Sequence, residues 1–278
     1  MDEKLLLEKN KIACKPFLRW AGGKSWLKKH LAKFLPKDGF NDYHEPFLGG
    51  GSIFFHLQPN YSYLSDLNPI LIETYNEIKN NVDKVIEELL KFENTEEHYY
   101  LVRQKKFRSS AKRAAHFIYL NQTSFNGIFR VNLKGEYNVP YGYRTKEFCE
   151  PENLKLVGKL LENTSIKSCS FADTIDNIKE KDLIFLDPPY TVTHNNNGFI
   201  KYNAKLFDIQ KQYELSEYID EIKNKGAFYI LTNAAHDVVE DIFTKEGDFK
   251  QKISRASLIG GVNAKRGKYK EFVFTNTQ

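Results

Sequence analysis

An acidic residue, two prolines and a tyrosine stand together directly after a short apolar run. Asp187, Pro188, Pro189 and Tyr190 follow residues 183–186. Proline fixes φ and biases the preceding residue toward extended geometry, so the Pro188 carbonyl can be held as an acceptor beside the Asp187 carboxylate. Two acceptors are what the amino group of adenine or cytosine needs for activation, and Tyr190 can stack on a displaced base. The alternative is a strand that ends in a Pro-Pro turn, with Asp187 as a turn former and Tyr190 in the core.

A glycine-rich segment is typical of a loop that binds a nucleotide-like cofactor. Residues 42–57 predict a strand, a turn through three glycines (49–51) and a helix. Glycines in such a turn let the backbone approach a ligand closely. The dinucleotide spacing G-x-G-x-x-G is not met, because Phe54 stands at the position of the third glycine. The next predicted strand, residues 61–66, ends in Asp66, whose carboxylate is well placed to accept hydrogen bonds from ribose hydroxyls.

These motifs occur in the order Trp-Ala-Gly-Gly-Lys (residues 20–24), Glu-Pro-Phe-Leu-Gly-Gly-Gly (45–51), Asp-Leu-Asn (66–68) and Asp-Pro-Pro-Tyr (187–190). From residue 17 to near the C-terminus, the chain resembles the Dam-type, alpha-class DNA adenine-N6 methyltransferases. The resemblance implies a Rossmann-like α/β sheet, S-adenosylmethionine as the cofactor, and no metal. The residues that it implies at the cofactor are Trp20, Lys24, Phe47, Gly49, Gly51, Asp66, Phe171, Asp173 and Asp187.

Residues 120–132 and 135–142 resemble the hairpin with which that family contacts DNA. The resemblance implies that Arg130 binds a guanine and that Phe125 inserts beside the displaced base, with GATC or a related site as the target. Arg19 stands where the family usually has a lysine that contacts the first guanine. The DNA-binding residues implied in this way are Arg19, Phe125, Asn126, Ile128, Arg130, Pro140 and Arg144.

The charge of the chain is concentrated in one segment. Residues 96–146 contain ten Lys or Arg and three acidic residues, a net charge of +7 in a chain whose total is +5. Such a distribution favours an anionic partner, here double-stranded DNA. We therefore predict a target-recognition domain over residues 80–155, mostly helical with a β-hairpin, inserted into a catalytic domain made of residues 1–79 and 156–278.

Hydrophobic spacing predicts the remaining elements. After residue 164, strands alternate with helices, which predicts an α/β sheet. The polar segment 193–198 is either a loop that orders over the substrate or a plain solvent loop. Helices are expected at residues 70–92, 111–119, 209–223 and 238–243, and strands at 164–170, 183–186, 227–232 and 269–275.

Several classes of protein are disfavoured. Cys14, Cys149 and Cys169 are odd in number and lack metal-ligand spacing, so we expect a reducing compartment. None of the three lies in the Pro-Cys context that covalent cytosine-C5 chemistry needs. No apolar run reaches 18 residues and no signal peptide is recognisable, so we expect no membrane association. We expect a monomer in the cytoplasm of a prokaryotic cell or a phage-infected host.

The leading hypothesis is adenine-N6 methylation of duplex DNA after base flipping, with Asp187, Pro188 and Tyr190 as the catalytic residues. Cytosine-N4 methylation uses the same logic, but a serine is usual there in place of Asp187. RNA or protein-glutamine methylation would predict neither the hairpin nor the basic segment. A catalytically inactive DNA-binding relative and a nucleotide-binding oxidoreductase are the candidates from other classes. The sequence leaves open whether a restriction endonuclease accompanies the protein.

Overall fold

The computed structural model describes residues 11–132, 135–190, 207–256 and 268–278. Its strands form a seven-stranded sheet in the order β3-β2-β1-β4-β5-β7-β6. Strand β1 pairs in parallel with β2 and β4, and β4 pairs in parallel with β5, whereas β7 is antiparallel to both of its neighbours. The strands are β1 (Tyr43–Glu45), β2 (Ser62–Asp66), β3 (Thr164–Ser168), β4 (Leu183–Leu186), β5 (Phe228–Ala234), β6 (Phe249–Ala256) and β7 (Lys268–Thr275).

Several α-helices begin at a residue whose side chain caps their first turn. The Asn68 side chain accepts hydrogen bonds from the first turn of α2. Pro69 follows at the first helical position, where a backbone N–H would have no partner within the helix, so its absence costs nothing. Thr95 and Asp208 cap α3 and α6 through their side-chain oxygens. The α-helices of the described residues are α1 (Phe54–Leu57), α2 (Pro69–Leu89), α3 (Glu96–Val102), α4 (Ser110–Thr123), α5 (Pro151–Leu161), α6 (Ile209–Asn224) and α7 (Asp237–Phe243). Short 3₁₀ helices lie at Leu27–Lys29, Leu31–Lys33, Phe125–Gly127 and Ala172–Asn177.

The α/β class and the predicted strands and helices are confirmed, with shifts at their ends. Of the α-helices and strands, three were not predicted: α3, α5 and β6. Helix α3 has seven residues, too few for a clear helical period. Strand β6 carries polar residues on both of its alternating sets, so it lacks the apolar alternation on which the prediction depends. The predicted loop 193–198 lies outside the described residues.

The chain divides into two compact units. The first comprises the described parts of Met1–Ser25, Leu48–Tyr61 and Ser65–Ser168, and the second those of Trp26–Phe47, Ser62–Leu64 and Cys169–Gln278. In the first unit, α2 packs against α4 and α5. The core of the second unit is built from β4, β5, β7, α6 and α7. Residues 80–155 all belong to the first unit; the predicted domain boundaries remain a prediction.

The sheet places two of the predicted site residues, Phe47 and Asp187, at the carboxyl ends of neighbouring strands. Strands β1 and β4 are parallel neighbours in the second unit, so Phe47, which follows β1, and Asp187, which follows β4, leave the sheet at the same edge. Strand β1 has β2 on its other side, so the order of the strands reverses between β1 and β4. Ligands of open α/β sheets bind at the carboxyl ends of strands where the order reverses in this way.

No helix of the described residues is long and apolar enough to cross a membrane. Within the same ranges, no group of three or more His, Cys, Asp or Glu side chains could hold a metal ion.

Candidate active site

The glycine loop of the first unit is packed directly under an indole ring. A Cβ atom added to Gly49 would lie 2.7 Å from Cδ1 and Nε1 of Trp20, and one added to Gly50 would lie 2.9 Å from the Trp20 Cβ. Gly49 and Gly51 have φ of +47° and +62°, in the left-handed region that favours glycine. The glycines are therefore needed both for the turn and for the close approach of Trp20.

Asp66, at the end of β2, holds this loop through its carboxylate. Its Oδ2 accepts a hydrogen bond from the Gly49 N–H at 3.0 Å, and its Oδ1 accepts one from the Asn68 N–H at 2.9 Å. Burial raises the pKa of the Asp66 carboxyl, and the two N–H donors oppose that shift. A carboxylate oxygen has two lone pairs, so each oxygen keeps acceptor capacity after these bonds.

Two further residues of the first unit contact the backbone near the loop. Lys24 is 2% exposed, and its ammonium group donates to the Gly22 carbonyl at 2.7 Å. The Tyr75 hydroxyl, on α2, donates to the Gly49 carbonyl at 3.2 Å. Lys24 belongs to the predicted set, whereas Tyr75 was not predicted, because its position in the middle of an amphipathic helix resembles that of any core residue.

In the second unit, the tetrapeptide after β4 is supported by two side chains. The Thr232 hydroxyl, on β5, donates to Oδ1 of Asp187 at 3.0 Å. The Tyr190 hydroxyl donates to Oε2 of Glu271, on β7, at 2.7 Å. Asp187 and Tyr190 are both half-buried, whereas Thr232 and Glu271 are buried. The carboxylate and the aromatic ring thus have fixed positions beside the sheet edge.

The aromatic residues predicted near the cofactor belong to the core of the second unit. Phe47 stacks on Phe171 with ring centroids 5.5 Å apart, and Phe171, at 3% exposed, also meets the edge of Tyr218. Asp173 is exposed, and its Oδ2 accepts a hydrogen bond from the Ser170 N–H at 2.9 Å. The roles of Phe171 and Asp173 toward a cofactor remain predictions.

The segment after α4 forms a tight turn that exposes an aromatic ring. Phe125 is 47% exposed, and its N–H donates to the Pro140 carbonyl at 2.9 Å. Asn126 has a φ of +55°, which asparagine tolerates better than most residues. At Gly127, an added Cβ would lie 2.4 Å from the Cβ of Arg19, so Arg19 packs closely under the turn. Ile128, next along, is half-buried, and its carbonyl accepts a hydrogen bond from the Tyr137 hydroxyl.

Three arginines in or near this segment donate hydrogen bonds from their guanidinium groups to nearby residues. Arg130 is exposed and donates from Nε to Oδ1 of Asn138 at 2.8 Å, across the two arms that run from 130 to 132 and from 136 to 138. Arg144 donates to Oε1 of Gln122 at 3.0 Å, and Arg19 to the Ser124 carbonyl at 3.2 Å. Burial, with the charge of Arg144, lowers the pKa of Arg19.

Comparison with known proteins identifies the family. The sequence model of the D12 class N6 adenine-specific DNA methyltransferase family matches residues 20–256. The chain belongs to this family. It is 33% identical to the type II methyltransferase M1.LlaDCHI of Lactococcus lactis subsp. cremoris, over 98% of each chain. It is 35% identical to the type II methyltransferase M.MjaIII of Methanocaldococcus jannaschii, over 94% of this chain and 96% of the relative, and 31% identical to the DNA adenine methylase of Escherichia coli K12, over 80% and 81%.

The family resemblance inferred from the sequence motifs is thereby confirmed, and the molecule is an adenine-specific DNA methyltransferase. Membership also implies the use of S-adenosylmethionine and a DNA substrate. The oxidoreductase alternative is wrong.

Several residues that support the methyltransferase site were missed from the sequence. Thr232 and Glu271 come from strands far along the chain, and nothing near them in sequence marks them. Asn121 is 1% exposed; its Oδ1 accepts from the Arg19 N–H, and its amide donates to the Arg19 and Gly127 carbonyls. The predicted helix ended at residue 119 and Asn121 was assigned to the hairpin, so its burial inside α4, where an asparagine needs partners of this kind, was not predicted.

Proposed function

We propose that this methyltransferase uses Asp187 and the Pro188 carbonyl to accept the two amino hydrogens of an adenine that has been flipped out of duplex DNA. The observation that carries the proposal is the hydrogen bond from Thr232 to Oδ1 of Asp187, 3.0 Å long, at the carboxyl end of β4. This bond fixes the carboxylate beside the point between β1 and β4 where the strand order reverses, which is where open α/β sheets bind their ligands.

The chemistry follows from the electronic structure of the base. The adenine N6 lone pair is delocalised into the ring, which makes the amino group a poor nucleophile. Hydrogen bonds from both N–H groups to Asp187 and Pro188 favour the geometry in which the lone pair is localised on nitrogen. As the nitrogen attacks, it develops positive charge, which the Asp187 carboxylate stabilises from a preorganised position. S-adenosylmethionine, when bound, would supply the activated methyl group and become S-adenosylhomocysteine. The methylated nitrogen then loses one proton to solvent, and no covalent bond between enzyme and base is needed.

For the cofactor, we propose a site that includes the glycine loop, Asp66 and the side chains of Trp20 and Lys24. Asp66 keeps acceptor capacity for ribose hydroxyls after holding Gly49 and Asn68. Glycine at 49 and 51 permits the positive φ of the loop and the close packing of Trp20 on it, which together set the path of the backbone that a ligand would approach. We assign Phe47, Phe171 and Asp173 to the adenine side of the cofactor on the family resemblance alone.

For DNA, we propose that the target-recognition domain is residues 80–155 and that its exposed turn contacts the target. Phe125, with nearly half of its surface exposed, inserts beside the displaced adenine, with Asn126, Ile128 and Pro140 alongside. The Asn138 side chain holds the Arg130 guanidinium in place, which favours a bidentate contact with the O6 and N7 atoms of guanine. Arg19 and Arg144 complete the contact surface, and GATC or a site that contains GAT is the target.

We also propose that the enzyme is a monomer that modifies DNA alongside a cognate restriction endonuclease. Two of the relatives covered over nearly their whole length, in Lactococcus lactis and Methanocaldococcus jannaschii, are named type II methyltransferases, which supports the pairing with an endonuclease. A restriction activity against unmethylated copies of the same site, in extracts of the source cell, tests this pairing.

The target is tested by expressing the chain in a host that lacks its own adenine methylation and sequencing its DNA for N6-methyladenine. We expect the modified base in GATC or a longer site that contains GAT. Arg130→Ala should relax the choice of the guanine, because an Arg pair with guanine discriminates by about 1–3 kcal/mol. Arg108→Ala is the matched control: Arg108 is also exposed in residues 80–155, and its loss should weaken DNA binding without changing the site. Methylation only outside such sites, or unchanged stringency in Arg130→Ala, contradicts the assignment.

A further inference from the structure

Glu271 is a buried carboxylate on an inner strand of the sheet. Strand β7 lies between β5 and β6, and Glu271 is only 2% exposed, although its neighbour Lys270 is exposed. An ionised carboxylate in such a position is costly unless hydrogen bonds compensate for the lost water. One of those bonds comes from the Tyr190 hydroxyl, at 2.7 Å. Hydrogen bonds to a charged acceptor are about twice as strong as neutral ones.

The register between β5 and β7 places Glu271 on the same face of the sheet as Thr232, which holds Asp187. Glu271 pairs with Ala234 on β5, and Thr232 pairs with Val273 on β7. Directly paired residues share one face of a sheet, and so do residues two apart along a strand. Thr232, which donates to Asp187, and Glu271, which accepts from Tyr190, therefore lie on the same face. A single patch of β5 and β7 holds both ends of the tetrapeptide.

We infer that Glu271 is a positioning residue for methyl transfer, which fixes the ring of Tyr190 in the orientation that receives the flipped adenine. The inference rests on the proposed function, in which Tyr190 stacks on the base. Pro188 and Pro189 restrict the backbone before Tyr190, which leaves the two side-chain torsions as its main freedom. The bond from the hydroxyl to Glu271 ties down the far end of the ring, so the ring face is preorganised before DNA binds.

The test is a double-mutant cycle of Tyr190→Phe and Glu271→Ala, with Glu271→Gln as the conservative variant that keeps an acceptor oxygen. Three quantities are measured: the single-turnover rate of methyl transfer, the affinity for S-adenosylmethionine, and base flipping by the fluorescence of 2-aminopurine at the target position. We expect each single variant to lower the rate and the flipped fraction, the rate by about tenfold, without changing cofactor affinity. The double variant should be no worse than either single variant, and Glu271→Gln should recover most of the rate.

Thr275→Val is the control for a general effect on β7. Thr275 is buried on the same strand and donates to the Tyr229 carbonyl, so its loss should lower the melting temperature and leave the methylation rate unchanged. Tyr190→Phe keeps the ring and its volume, so the test does not depend on Glu271→Ala folding. An unchanged rate and unchanged fluorescence in Tyr190→Phe overturn the inference, as do single effects that multiply in the double variant.

Asp187→Ala, measured in parallel, separates this inference from the proposed function. If Asp187→Ala retains methylation, the proposed mechanism fails whatever Glu271 does. If Asp187→Ala is inactive while Tyr190→Phe and Glu271→Ala behave as the unmodified enzyme, only the role of Glu271 fails.

Discussion

Replacing Gly49 by alanine should separate cofactor binding from folding. Gly49 has a φ of +47°, and a Cβ there would lie 2.7 Å from two atoms of the Trp20 ring. Left-handed geometry costs a non-glycine residue about 1–2 kcal/mol. To relieve the contact, the Trp20 ring or the loop must also shift, and a shift of the loop strains the hydrogen bond from the Gly49 N–H to Asp66. The backbone then moves where the cofactor would approach it.

Binding requires the left-handed geometry to be restored, which costs about 1–2 kcal/mol for a non-glycine residue. Because each 1.4 kcal/mol is a factor of ten, the affinity for S-adenosylmethionine should fall about tenfold. Titration calorimetry measures the affinity, and thermal unfolding checks that the variant is folded. Gly39→Ala is the matched control, because Gly39 has a φ of +79° and no atom within 4 Å of an added Cβ. Cofactor affinity that is unchanged in Gly49→Ala, or that falls equally in Gly39→Ala, refutes the reasoning.

Two further predictions concern Asp66 and His116. Asp66→Asn should lower S-adenosylmethionine affinity by about tenfold through weaker bonds to the ribose, and calorimetry that shows no change removes Asp66 from the cofactor site. Burial lowers the pKa of His116 from 6.5 to about 4, so the folded state favours the neutral imidazole. The free energy of unfolding therefore decreases as the pH falls from about 6.5 to about 4. Between pH 7.5 and 5, the free energy of unfolding should drop by about 2 kcal/mol more in the unmodified protein than in His116→Gln. Urea denaturation measures both drops, and equal drops contradict the assignment.

The parts of the fold that the sequence predicted are those in which neighbouring residues carry the signal. The run Leu183–Leu186 is apolar throughout, since β4 is buried between β1 and β5, and the residues after it must leave at the carboxyl edge. The position of Asp187 at the end of β4 could therefore be predicted from the sequence. Strand β6 could not be predicted, because its polar residues lie on both alternating sets and resemble a solvated loop.

The supporting residues of the site depend on pairings between distant strands. Thr232 reaches Asp187 because β4 and β5 pair in the register that sets Leu186 against Leu231. Glu271 stands between Lys270 and Phe272, and a glutamate in that setting resembles a surface residue. Its burial becomes visible only once β7 is inserted between β5 and β6. Local patterns thus locate the reacting groups, whereas the side chains that hold them require the sheet.

The central claim is that Asp187 activates the amino group of adenine. It is tested most directly by methyl transfer from methyl-labelled S-adenosylmethionine to duplex DNA, followed by digestion of the DNA to nucleosides. With the unmodified enzyme, all label should be in N6-methyl-2′-deoxyadenosine, and Asp187→Ala should lower the rate by at least about 100-fold while cooperative unfolding persists. Label in N4-methyl-2′-deoxycytidine, or methylation by Asp187→Ala at nearly the normal rate, would contradict the claim.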